Sequence, residues 1–84
     1  MNVCFITFRS VTLAQRGERI LKKANIRCHL QRTPRWMEEQ GCGYCLKVSS
    51  EDVAEAVQAL RRGNGDFRKV YQQLSGGNVE EVLL

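Results

Sequence analysis

The run VCFITF, Val3 to Phe8, limits the fold more than any other stretch of this chain. It is continuous, apolar and rich in β-formers, too short for a helix of its own, and ended by Arg9-Ser10. Apolar groups fall on both sides of it, so it reads as a central strand buried on both faces. The next segment has a different period. Leu13, Ala14, Gly17, Ile20, Leu21 and Ala24 recur at helical spacing, with Arg16, Arg19, Lys22 and Lys23 largely on the opposite side. Ser10 or Thr12 can cap this helix, and Thr12 with Gln15 three residues on has the form of a capping box. Gly17 inside it costs about 1 kcal/mol relative to alanine, which suggests close packing against a neighbouring element. Asn25 can take the left-handed turn that ends it.

The remaining pattern completes a topology. IRCHLQ alternates, with Ile26, Cys28 and Leu30 on one side and Arg27, His29 and Gln31 on the other, until Pro34 ends it. YCLKV alternates again, burying Tyr44, Leu46 and Val48 and turning Cys45 and Lys47 the other way. A second helix opens near Ser49 or Ser50, with Glu51 and Asp52 suited to its dipole, an inward stripe of Val53, Ala56, Val57 and Leu60, and a close at Arg61-Arg62-Gly63. Phe67 to Leu74 fits either a helical face or an edge strand by local pattern. Topology favours the strand, because strand, helix, strand, strand, helix, strand makes the split βαβ of an α+β ferredoxin-like fold, βαββαβ, with both helices on one face of an antiparallel sheet. Residues 1–74 form this single domain. Residues 75–84, broken by Gly76 and Gly77, are expected to be a mobile tail or one short helical turn. One sheet face is left without helices, and a second copy of the chain or a partner protein is its simplest cover.

Size and charge narrow the function classes. Eighty-four residues allow one small core, and no apolar run approaches the roughly 18 residues that cross a bilayer. With no secretory leader in MNVCFITF, the expectation is a soluble cytoplasmic protein with reduced thiols. From Arg9 to Arg35 eight Lys or Arg stand against one acid, Glu18, giving +7, while from Trp36 onward five bases face eight acids, giving −3. An anionic partner would dock on the first half, although a solvated helix face explains such charges equally well.

Cys42 lies after a polar stretch and between Gly41 and Gly43, which remove the steric walls around a thiol. Its reactivity requires thiolate; Arg32, Arg35 and Lys47 favour that form, and Glu38 and Glu39 oppose it. A nucleophilic or sulfur-carrying thiol and a plain loop cysteine flanked by turn glycines both fit. Cys42 and Cys45 form a C-x-x-C, but the second falls in a strand rather than a helix, so a redox motif is poorly matched. Cys28 and His29 point to opposite faces of their strand, which argues against a shared zinc site with the other two cysteines. Neither metal nor cofactor is expected. An aromatic and basic strand pattern for stacking RNA bases is missing from YCLKV and VCFITF, and Trp36 beside Arg35 is a weak substitute. Nucleic acid is therefore not the expected partner.

The segments FITFRS, Ala14 and Glu18 on the first helix, LKKANI, and TPR followed by a polar stretch and CG before a strand together resemble the selenium/sulfur carrier protein-like family of small bacterial proteins. The likeness runs from about Val3 to Tyr71. It implies Cys42 as the carrier thiol, Gly43 beside it, Thr33, Pro34 and Arg35 as the preceding binding loop, and a strand for Phe67 to Gln72. This chain departs from the family by adding Cys45, a candidate resolving thiol. The resemblance implies a carrier rather than a true enzyme: a cysteine desulfurase-like or selenium-mobilising donor loads Cys42, and an acceptor enzyme unloads it. The rival reading is an interaction or dimerisation module that uses the open sheet face and in which Cys42 is incidental.

Overall fold

The computed structural model describes residues 2–33, 43–74 and 79–82. The elements run β1 (Val3–Phe8), α1 (Val11–Lys23), β2 (His29–Arg32), β3 (Tyr44–Ser49), α2 (Val53–Arg62), β4 (Phe67–Gln73) and β5 (Val79–Val82). The sheet order is β2-β3-β1-β4-β5, with every neighbouring pair antiparallel. Its first four strands have the α+β ferredoxin-like arrangement expected from the sequence, with β1 in the centre. β5 is the departure: Val79–Val82 pairs with the outer side of β4, where a helical turn or loose tail was expected. Phe67–Gln73 is a strand, as topology required, because pairing with β1 overrides its ambiguous local pattern.

The pleat of β1 divides the core. Cys4, Ile6 and Phe8 pack with Ala14 and Leu21 of α1, with Ala56, Val57 and Leu60 of α2, and with Leu46, Val48 and Val70 of the flanking strands. Gly17 carries the closest approach of helix to sheet. A Cβ built there would lie 2.7 Å from Cζ and 2.9 Å from Cε2 of Phe8. Glycine is thus what lets α1 lie flat on the Phe8 ring, as its helix-breaking cost implied.

Both helices end in the same device. After α1, the Ile26 N–H bonds to the Leu21 carbonyl at 2.9 Å and the Asn25 N–H to that of Lys22 at 3.1 Å, with Asn25 left-handed at φ 61°. After α2, Gly65 and Asn64 bond in the same way to Leu60 and Arg61, and Asn64 has φ 57°. These are Schellman closures in which asparagine takes the left-handed position. Gly63, where the sequence suggested closure, keeps a negative φ of −93°. At the start of α1 the cap is Ser10, whose Oγ accepts the Leu13 N–H at 3.1 Å, and the helix begins one residue before Thr12 could serve as cap.

On the face without helices, Phe5 and Cys45 pack with Val3 and Tyr71. Phe5 is 5% exposed and Cys45 0%, so their burial is achieved within one chain and requires no second copy. Among the described residues the one large hydrophobic side chain that stands exposed is Val11. A bulge in β4 sits at the upper end of this face, where Arg68 and Lys69 together oppose Thr7. The Thr7 hydroxyl accepts the Lys69 N–H at 3.2 Å and donates to the Lys69 carbonyl at 3.3 Å, replacing the ladder bonds the bulge interrupts.

Candidate functional site: the neck of the β2–β3 loop

The loop carrying the candidate thiol leaves the sheet where β2 ends and β3 begins. Arg32 and Tyr44 are the last paired residues, and beyond them the Thr33 N–H donates to the Gly43 carbonyl at 2.8 Å. That bond extends the ladder by one step and closes a narrow neck. Gly43 has φ 82°, a conformation in which a Cβ would be strained, so the chain can turn sharply into Tyr44 here only because glycine occupies the position. The Arg32 guanidinium lies 5.8 Å from the centroid of the Tyr44 ring, within cation–π range, and Tyr44 in turn packs against the helix-side core. A positive charge is thereby held beside the neck by a ring that the core anchors.

Of the residues singled out from sequence, Thr33, Gly43 and Cys45 are in place around this neck, while Pro34, Arg35 and Cys42 lie outside the described residues. Thr33 and Gly43 are brought together by their backbone bond, which no side-chain pattern in the sequence announces. The Arg32–Tyr44 contact was also not foreseen. Its signal is the register itself, since a hairpin closing at Thr33 and Gly43 makes Arg32 and Tyr44 cross-strand partners.

The described thiols differ sharply from what a carrier needs. Cys45 faces away from the helices as the alternation implied, between its cross-strand partners Thr7 and Gln31, and has no exposed surface. Cys4 is 1% exposed, and burial raises its pKa above the ordinary thiol value. Cys28, half-buried, has its pKa raised by burial and by the nearby Glu18 carboxylate, against a smaller opposing effect of Lys22. Its Sγ lies 4.0 Å from the Glu18 carbonyl oxygen. Both thiols are held in the neutral, poorly nucleophilic form.

Phe5 is too deeply packed to offer a ring face to a nucleic-acid base. Among the described residues no three His, Cys, Asp or Glu side chains converge as a metal centre would require, and no helix is long and apolar enough to cross a membrane.

The model of the family described as "Putative Se/S carrier protein-like" matches residues 3–72, from the first residue of β1 into β4. No curated protein matches the chain.

Proposed function

The chain belongs to the Se/S carrier protein-like family, and from that premise we propose that it is a carrier that accepts and passes on sulfur or selenium at Cys42. One observation carries the choice of residue. Cys4 and Cys45 are closed to solvent and Cys28 is held neutral, whereas Cys42 immediately precedes the glycine at the neck of the loop. The Cys42 thiolate attacks the terminal sulfur of a donor's cysteine persulfide. The donor S–S bond breaks, its cysteine leaves as thiolate, and the new S–S bond forms on Cys42, so the outer sulfur changes hands with no net oxidation. Delivery is the same exchange, with an acceptor thiolate as nucleophile and Cys42 as leaving group. Arg32 beside the neck and Arg35 within the loop offer charge-assisted hydrogen bonds to the persulfide anion.

The burial of Cys45 supports carriage by one thiol. For Cys45 to resolve the persulfide it would attack the inner sulfur, expel hydrosulfide and leave a Cys42–Cys45 disulfide for an external dithiol to reduce. That route requires a strand of the sheet to open first. The donor, a cysteine desulfurase-like or selenium-mobilising enzyme, is guided by the exposed Arg16, Arg19, Lys22 and Lys23 of α1, which suit an acidic face and act mainly on the rate of encounter. The setting is a reducing cytoplasm, where unloaded thiols persist.

The test is incubation with a desulfurase and free cysteine, followed by intact-mass spectrometry. One added sulfur is expected on the wild type and on Cys45→Ala, and none on Cys42→Ser. An unloaded wild type, or equal loading of Cys42→Ser, ends the proposal.

A further inference from the structure

A second feature sits at the other end of the sheet. β3 runs from Tyr44, next to the neck, to Ser49, five residue steps or about 17 Å at the usual rise of a strand. Beside Ser49, where β1 and β2 begin, there is a cleft of about 300 Å³. Its rim carries the exposed Arg27, His29 and Lys47, and Val3 lines it on the face away from the helices. Among the described residues no acidic side chain lines it.

The backbone brings these basic side chains together. His29 and Lys47 are direct cross-strand partners, both exposed, on the face away from the helices. Side chains so paired have Cβ atoms roughly 4.5–5.5 Å apart, close enough for both to reach one small ligand. Arg27 is delivered to the same rim by the Schellman closure of α1, which pins Ile26 to Leu21 and sets the direction in which the chain leaves the helix. The acids nearest in sequence do not line the cleft. Glu18 pairs with Lys22 at 3.7 Å, and Glu51 and Asp52 follow Ser49 into the start of α2. Ser49 accepts the Glu51 N–H at 3.3 Å through its Oγ, so its own hydroxyl hydrogen can be given to a ligand.

We propose that this cleft binds a small organic anion, a carboxylate or phosphate on a short apolar body. Arg27 and Lys47 hold the oxyanion, Ser49 and His29 add hydrogen bonds, and Val3 receives the apolar part. Guanidinium and ammonium groups beside an apolar side chain are matched to that chemistry. The site is independent of the Cys42 reading, since it lies at the far end of the sheet from the neck.

The test is a titration of isotope-labelled protein by amide-resolved NMR, with inorganic phosphate in one arm and butyrate in the other, at ionic strength matched with sodium chloride. Saturable shifts are expected at Asn2, at 27–29 and at 47–49, with at least tenfold weaker binding in the Arg27→Gln/Lys47→Gln variant and unchanged binding in Cys42→Ser. The two substituted side chains are exposed, so this variant is expected to keep the wild-type spectrum elsewhere. If it does not, Lys47→Gln alone provides the comparison. Saturation with phosphate alone would assign a bare oxyanion site, and tighter saturation with butyrate would assign a role to Val3. Shifts that grow linearly in both arms, or that are equally large at Arg16, Arg19, Lys22 and Lys23, would overturn the assignment and leave only general attraction to a basic surface.

Discussion

Replacing Gly17 by alanine sets two effects of opposite sign against each other, and the structure decides between them. On helix propensity alone the substitution should stabilise the protein by about 1 kcal/mol. The new methyl would, however, lie 2.7 and 2.9 Å from two atoms of the Phe8 ring and 3.2 Å from Cδ1 of Leu46. Ordinary carbon contacts are about 3.5–4.0 Å, so the ring or the helix must retreat by roughly 0.8 Å. Phe8 and Leu46 have no exposed surface, which leaves the ring nowhere to swing without disturbing other core side chains. Overpacking of this kind costs about 1–3 kcal/mol, so the net expectation is a loss of about 1 kcal/mol, or roughly 4–8 °C in Tm for a domain of this size. Urea denaturation of the wild type and Gly17→Ala measures it. The double-mutant cycle with Phe8→Leu identifies the cause. Removing the ring should turn Gly17→Ala neutral or stabilising, a coupling of about 0.5–3 kcal/mol. An alanine variant about 1 kcal/mol more stable than wild type, or a cycle with no coupling, would refute the claim that α1 is seated through Gly17 on Phe8.

Buried polar groups and thiols give two more expected outcomes. Thr7→Val keeps the shape of a 7% exposed side chain but removes both of its hydrogen bonds to Lys69, and urea denaturation should show a loss of about 1–3 kcal/mol. A variant within experimental error of wild type would mean that the bulge is satisfied in another way. Cys4 and Cys28 have folded-state pKa values raised above those of the unfolded chain, so the unfolded state loses its thiol protons first as pH rises. Their contribution is fully present below about pH 8.5 and declines through the alkaline range up to their folded pKa. Stability measured from pH 7 to 10 should fall, and less steeply in Cys4→Ala. A slope identical in that variant would show that burial of Cys4 does not set it.

How much was legible in the chain depended on whether the signal was local. The apolar run of β1, the 3.6-residue stripes of both helices and the alternation of β3 each reflect one face of one element, and such patterns require no knowledge of the partner. Gly17 was legible for a related reason, since a glycine in a good helix stripe has a cost that some close approach must offset. Signals that depend on a partner were ambiguous or hidden. FRKVYQ reads as either period until β1 is there to pair with it. VEEV, with two adjacent glutamates, resembles a tail until β4 offers an edge, and its Glu81 then comes within 3.8 Å of Lys69.

The chain by itself determined the α+β ferredoxin-like order of elements, the family, and the thiol to examine first, because these rest on residue type and spacing. Tertiary structure decided which thiols are closed off, how Thr33 and Gly43 narrow the loop at its base, and where Arg27, His29 and Lys47 gather. Burial and cross-strand register are properties of pairs of distant segments. No window of sequence contains both members of such a pair, so accessibility and charge clustering came only with the assembled sheet.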